Sequence, residues 1–513
     1  MQAECVLSAS NKADTPCAEI RSATKCEEQR NTRKRASYAL LQKREYNMVF
    51  SSLIFLYLFL PVCLLCYGLS PSITVKNGVL TVFSLIFYAW GEPVYILLLL
   101  ASVLVNYLLG LGIGAARQKP KTAKFLLIVS LMFNIGLLLL FKYSGFLAEN
   151  LNRIPGVSLP VPHLTLPIGI SFYTFQILSY IIDLYWDKVD VQRNPLHFLL
   201  YISMFPQLIA GPIVRYSTIE HEIRTRKVTL TDFSDGMTRL IVGLAKKVIL
   251  ANHLSVIVEN LFGGSAISVA GAWYATAVYA MQIYFDFSGY SDMAIGMGRM
   301  FGFHFDENFR HPFLCRDISE FWQRWHISLG TFFRDYLLYI PIFGKRRKYG
   351  GLLLVWFCTG FWHGASWNFI IWGMYFGLFI LLEQLIGKKR IRAIPLAIRH
   401  LYSKLVILVG FGIFYFEDLK KLLQYFRDLV GMNGNRLFDE VTALSVQNNL
   451  FLLLASVICC FPIMDGLKKL SLKTPAAGRA VEGIRVVCNV VLLAVSSILL
   501  VDATNNPFLY FRF

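Results

Sequence analysis

The sequence predicts an all-α, polytopic integral membrane protein, and three observations carry that expectation. Of 513 residues, 56% are hydrophobic and only 16% are charged, against about 25% charged in ordinary soluble domains. Residues 46–75 contain no Asp, Glu, Lys, Arg or His, so a span of roughly 20 apolar residues fits there. Uncharged stretches then recur at 93–116, 125–141, 154–182, 194–214, 260–285, 349–382, 441–464 and 486–501. Together they predict roughly eleven transmembrane helices, plus short buried, re-entrant and interfacial helices around a central pore. Nothing after residue 48 alternates with period 2, as an outer-membrane barrel strand would.

Residues 1–47 stand apart as a polar segment with nine basic and six acidic residues and no helical periodicity. Met48-Val49-Phe50-Ser51-Ser52 opens the first apolar run, which makes 48–513 the expected membrane domain. Segment 1–47 is then either a disordered tail or a mis-assigned start. Five basic residues at 33–44 would draw the N-terminus inside, whereas crossings at about 49–68, 79–91 and 93–116, followed by a cytoplasmic basic cluster at 117–124, place Met48 outside. The two signals conflict unless 1–47 is absent.

Lys and Arg exceed Asp and Glu by 50 − 32 = 18. In a soluble protein that excess suggests nucleic acid as a partner. Here the basic residues gather in short clusters between apolar runs, at 117–124, 224–227, 345–348, 388–392 and 468–473. That is the signature of cytoplasmic loops, with anionic lipid or an anionic cofactor as a secondary contact and nucleic acid excluded. The ten cysteines lie mostly in apolar runs without paired zinc-type spacing, so no metal is expected. Leu166-Pro167-Ile168-Gly169 and Ala210-Gly211-Pro212 interrupt apolar sequence; irregular backbone at membrane depth must line a cavity or lie buried in protein.

The most informative segment runs from Asp317 to Trp372. Ser319 to Leu329 mixes aromatic and charged residues, with Glu320 and Arg324 at i,i+4, and predicts an interfacial or cavity-lining helix. The 34 uncharged residues of 349–382 lie between two basic clusters. Two full crossings need roughly 40 residues, so a hairpin of two short helices is expected, with its apex near Trp362-His363-Gly364-Ala365-Ser366-Trp367-Asn368. Counting ~20 Å of helix from Gly350 puts His363 near mid-depth. A histidine in hydrocarbon is costly unless it faces a polar cavity, which makes His363 a functional candidate; the bland alternative is a helix-packing imidazole. His326 is a candidate on similar grounds, set against simple snorkelling. Asp286, Ser288 and Asp292 are intramembrane polar groups that equally suit polar glue between helices. Asn106, Asn134 and Asp183 are expected to pack.

Five stretches, Phe205 to Arg215, Asp286 to Gly296, Phe321 to Leu329, Arg334-Asp335-Tyr336 and Trp362 to Trp367, resemble the membrane-bound O-acyltransferase superfamily, in its bacterial, alginate O-acetyltransferase-like branch. The likeness runs from Met48 to the C-terminus; Gly330-Thr331-Phe332-Phe333 departs from it, where that branch carries a Ser and often Trp-Leu. The resemblance implies that His363 is the essential histidine and His326 the second family histidine. It also implies an acetyl-CoA donor on the cytoplasmic side, with no tightly bound cofactor, and an extracytoplasmic acceptor reached through the pore. That acceptor would be a cell-envelope polysaccharide, served directly or through an esterase-like acetyltransferase partner at the bacterial cell membrane.

The chemistry fits one buried imidazole. An alcohol attacking a thioester must lose its proton, and a base with a reference pKa of ~6.5 matches that task at neutral pH. No Gly-x-Ser-x-Gly elbow is present, so a covalent serine route is not invoked. Asn368 or backbone amides at the apex are candidates to steady the oxyanion. Lys345, Arg346 and Arg347 are candidates for the CoA phosphates, beside their plain topological role. Two other functions compete: D-alanyl transfer to teichoic acid from a carrier protein, and a transporter or flippase using His363 and Asp286 as a proton relay.

Overall fold

The computed structural model describes residues 48–162, 164–209, 211–264, 267–338, 348–463, 466, 471–472 and 474–501. The polar segment 1–47 and the cluster Lys345, Arg346 and Arg347 lie outside the described residues. One compact unit begins at Phe50, and every regular element described in it is helical.

The chain opens with α1 (Phe55–Gly68), α2 (Ile73–Gly91) and α3 (Ile96–Ala115), followed by α4 (Pro120–Leu151), whose last turns pass through a π-helical bulge at Leu139–Tyr143. Ser72 caps α2 by accepting from Val75 N at 3.3 Å. Asn106 of α3 and Asn134 of α4 bond each other across the helix pair, joined by Ser130 Oγ, which donates to Asn106 Oδ1 at 2.6 Å. The two asparagines are packing residues, as expected.

Seven helices are long and apolar enough to cross a membrane, or eight when the pair α17 (Glu440–Asn448) and α18 (Leu450–Cys459), bent by 66°, is one span. Eleven are not seen among the described residues, and three uncharged stretches show why. Residues 154–182 contain Pro155, Pro160, Pro162 and Pro167, and only the sixteen-residue α5 (Ile170–Tyr185) forms there, entered through Gly169 at φ +76°. Because α5 is buried on almost every side, its apolar character reflects the protein interior rather than lipid contact. Residues 194–214 form only α6 (Pro195–Ser203) and a single turn at Phe205–Leu208 before α7 (Tyr216–Thr225). Stretch 260–285 is divided between α8 (Leu230–Phe262) and α9 (Val269–Met300).

Helices α8 and α9 form the central antiparallel pair. A Cβ on Gly236 would lie 2.6 Å from Gly296 O, and one on Gly243 would lie 2.5 Å from Gly289 O. Small residues facing each other at both levels let the backbones touch. The charges brought along are paired: Lys247 Nζ lies 2.7 Å from Asp286 Oδ1 with both side chains almost fully buried, while Asp292 takes Lys246 at 2.7 Å and Arg239 at 2.9 Å.

Beyond α9 come the short α10 (Ile318–Trp322) and α11 (Ile327–Tyr336), then α12 (Lys348–His363), α13 (Trp367–Ile386), the basic α14 (Lys388–Ala393), α15 (Leu396–Tyr415), the amphipathic α16 (Leu419–Leu429), α17, α18 and α19 (Pro475–Val501).

Candidate active site

Helices α12 and α13 make the expected hairpin, with the turn at Gly364-Ala365-Ser366, but only α12 is short: the 20 residues of α13 are enough to cross a membrane. Added Cβ atoms locate its seam: on Gly373, 2.9 Å from Gly360 Cα; on Gly377, 2.8 Å from Trp356 Cβ. Pairs 360/373 and 356/377 have equal sums, so the two helices run antiparallel. His363 is the last residue of α12, where four carbonyls lack intrahelical donors. Lys142, in the π-bulge of α4, supplies them: its Nζ donates to Trp362 O, to His363 O at 3.3 Å, and sits 5.7 Å from the Trp362 ring. Tyr143 OH donates to Phe361 O. A cation also suits the negative end of a helix.

The His363 imidazole is boxed by rings, with centroids 4.9 Å from Trp362, 4.8 Å from Trp372 and 5.3 Å from Phe414. The residue is 9% exposed. Neither ring nitrogen bonds any described residue, and neither is among the polar atoms sealed from open space. A packing histidine would have spent one nitrogen on a carbonyl; this one keeps both available. Phe414 belongs to the last turn of α15, so His363 sits at the far end of the hairpin, level with the C-terminal end of α15. Counted back along α13 to Ile386, that is ~30 Å of helix, which places the imidazole further from the 388–392 cluster than the mid-depth expectation.

His326 is brought to the same wall. Its ring lies 6.0 Å from Trp362, on which His363 also packs, and 4.6 Å from Phe287. Its backbone is left-handed, φ 43°, a conformation that costs roughly 1–3 kcal/mol in a non-glycine residue and persists only where the surroundings impose it. Asn308 imposes it. Its carbonyl accepts Ile327 N at 2.9 Å, and its side-chain Oδ1 accepts Ser328 N at 3.2 Å and Ser328 Oγ at 2.9 Å. A backbone N–H only donates, so that contact fixes which amide atom is oxygen. His326 Nδ1, 3.2 Å from the same Oδ1, therefore carries the proton. Nε2 is the lone-pair nitrogen, buried and without a hydrogen-bond partner among the described residues.

The remaining candidates are engaged elsewhere. Asn368 donates through Nδ2 to Ile413 O and Phe414 O, both at 3.3 Å; its amide ties α13 to the end of α15 rather than facing an oxyanion. Asp286 is held in the Lys247 ion pair, which is the polar-glue alternative. Asp183 accepts from Tyr336 OH at 2.7 Å. Glu320 is bound as its spacing predicts, by Arg324 at 2.8 Å and also by Arg316 at 2.9 Å. Burial would raise its carboxyl, but these hydrogen bonds bring it down to about 2.

Sequence reasoning passed over Lys142, Asn308 and Glu383. Glu383 accepts Ile318 N at 2.7 Å, Ser319 N at 2.8 Å and Tyr402 OH at 3.2 Å, pinning α10 against the hairpin. Lys142 and Glu383 had a signal, since each is a lone charge at the edge of an apolar stretch. Asn308 had none, because its role depends on a fold in space.

Residues 187–416, which include α9 to α15 and both histidines, match the membrane-bound O-acyltransferase family. The chain is 38% identical to a probable alginate O-acetylase of Azotobacter vinelandii, over 91% of this chain and 100% of that protein. The chain belongs to the membrane-bound O-acyltransferase family. It is also 34% identical to a peptidoglycan O-acetyltransferase of Helicobacter pylori over 76% of this chain and 81% of the relative. To a teichoic acid D-alanyltransferase of Bacillus subtilis it is 31% identical over 43% and 61%. Membership makes this multi-pass membrane protein an O-acyltransferase and sets the proton-relay transporter aside.

Proposed function

We propose that this O-acyltransferase moves an acetyl group from acetyl-CoA on the cytoplasmic side to a hydroxyl of an extracytoplasmic cell-envelope polysaccharide, directly or through an esterase-like partner protein, in the bacterial cell membrane. His363 is the general base. It takes the proton from the acceptor hydroxyl as that oxygen attacks the thioester carbonyl; the C–S bond then breaks and the CoA sulfur leaves as thiolate. The observation that carries the assignment is the state of the imidazole: at the apex of a membrane hairpin, ringed by aromatics, with neither nitrogen bonded to a described residue. His326, with its proton held on Nδ1 by Asn308, presents Nε2 as a second acceptor on the same aromatic wall. Lys345, Arg346 and Arg347, before the start of α12, are the candidates for the CoA phosphates, alongside their topological role.

Acetyl is favoured over D-alanyl because the likeness to the alginate and peptidoglycan enzymes covers far more of the chain than the likeness to the teichoic acid enzyme. The test is His363→Gln, which keeps polarity and approximate size but cannot act as an imidazole base. At matched membrane protein levels, release of free CoA and acetyl content of the envelope glycan should fall by roughly 10²–10⁴. Transfer at the wild-type rate would mean that the histidine is structural.

A further inference from the structure

We propose that the groove between the end of α8 and helix α16 is a binding site for a carboxylate-bearing polysaccharide strand. The groove holds about 990 Å³, with Phe262, Gly263 and Ile267 on one side and Lys420, Lys421 and Arg427 on the other. That volume is at the upper end of the range for ligand pockets, ~300–1,000 Å³.

Three features of the cations are anomalous for a purely structural role. The first is their side of the membrane. Helix α15 starts beside the cytoplasmic 388–392 cluster and runs 20 residues, or ~30 Å, so α16, just beyond its end, lies on the opposite face, where the positive-inside rule predicts few basic residues. The second is their place on the helix. Lys420 and Lys421 sit in the first turn of α16, next to the Asp418 cap, where the helix dipole disfavours cations. The third is their lack of partners. Lys420, Lys421 and Arg427 form no ion pair among the described residues, and the one acid of the groove, Asp428, is occupied by Asn433 Nδ2 at 2.6 Å.

The other lining groups suit a sugar. Gln424 offers an exposed amide and Phe416 a half-buried ring, groups that meet hydroxyls and a pyranose face, while Asn433 and Asn435 shape the wall with amides already spent on Gln424, Asp428 and Ile267. The groove also adjoins the catalytic hairpin, because Ser366 Oγ donates at 3.3 Å to the carbonyl of Glu417, the residue after Phe416. A strand lying here has its anionic groups on the cations and the neighbouring sugar close to the hairpin apex. This rests on the extracytoplasmic acceptor proposed above, but it concerns binding and not transfer.

The test is equilibrium binding of a labelled oligogalacturonate to the full chain in nanodiscs of neutral phosphatidylcholine, with an uncharged maltodextrin of equal length as control. Binding should be weakened by salt, should exceed that of the maltodextrin, and should drop by ~10-fold or more in Lys420→Gln/Lys421→Gln/Arg427→Gln. The charge-preserving Lys420→Arg/Lys421→Arg/Arg427→Lys should bind as wild type, which separates lost charge from misfolding. His363→Gln should bind normally, so failure here is distinct from failure of the catalytic assignment. Equal binding of maltodextrin, an unaffected glutamine variant, or association seen only when anionic lipid is added would overturn the proposal.

Discussion

The pairs α8/α9 and α12/α13 are built alike and finished differently. Both are antiparallel, and in both opposed glycines bring the backbones into contact, Gly236 with Gly296 and Gly243 with Gly289 in one, Gly360 with Gly373 in the other. In α8/α9 the intramembrane charges are matched, Asp286 by Lys247 and Asp292 by Arg239 and Lys246. In α12/α13 the titratable group at the tip has no hydrogen-bond or ion-pair partner among the described residues. A charged group in hydrocarbon must be paired to be tolerated, so the first pair is scaffold. A polar group left unpaired on purpose has to be held by everything around it, and around His363 that support comes from Lys142, Trp362, Trp372 and Phe414.

The sharpest way to break the comparison is to make the scaffold behave like the site. Lys247→Met leaves Asp286 buried and uncompensated and should destabilise the protein by ~3–5 kcal/mol. Adding Asp286→Leu should recover most of that. Thermal unfolding in nanodiscs checks both, and a double variant no better than the single would remove Asp286 from the scaffold. His363→Gln, by contrast, should leave the unfolding temperature close to wild type.

An intermediate effect is expected at the second histidine. Asn308→Ala frees His326 to change tautomer, and kcat should fall by roughly 10–10²-fold, less than for loss of the base, with KM for acetyl-CoA little changed. Asn308→Asp keeps an acceptor for Nδ1–H and Ser328 and should retain more activity. If alanine and aspartate are equally damaging, Asn308 acts through packing alone.

Much of the second pair was legible in sequence, and the reason is instructive. A run of 34 uncharged residues between two basic clusters on one side has to return to that side, so topology dictates a hairpin with Gly364 near its apex; its depth was not legible, because α13 continues past the uncharged run to Ile386 and is long enough to cross a membrane. The number of crossings was not legible in the same way. Apolar composition marks burial without saying in what, and α5, enclosed by protein, looks in sequence like a helix enclosed by lipid. Asp286 was ambiguous because its pairing with Lys247 joins residues 39 apart in sequence whose approach depends on the glycine contacts. Asn308 was invisible, since nothing local distinguishes a loop asparagine that fixes a tautomer.

Smaller effects should come from the interfacial ion pairs. Glu320→Gln removes a carboxylate shared by two arginines that are partly exposed, and its cost should be within ~1 kcal/mol. The folded carboxyl titrates at about 2, below the ordinary value near 4.3. Its contribution to stability is therefore complete above pH ~5 and is lost as pH falls through 2, so the wild type minus variant difference should be flat from pH 5 to 8. Smallest of all, deletion of residues 2–47 should leave insertion and acyl transfer intact; a truncated protein that inserts but does not transfer would assign the tail a role.

The most direct test of His363 as the base is chemical rescue. His363→Ala removes an imidazole whose nitrogens bond no described residue, and the vacated position is one that exogenous imidazole would fill. The account predicts that CoA release, lost in the variant, returns in a saturable manner with added imidazole and follows the neutral fraction of imidazole as pH is varied through ~7. A variant that transfers acetyl at the wild-type rate without imidazole would contradict it.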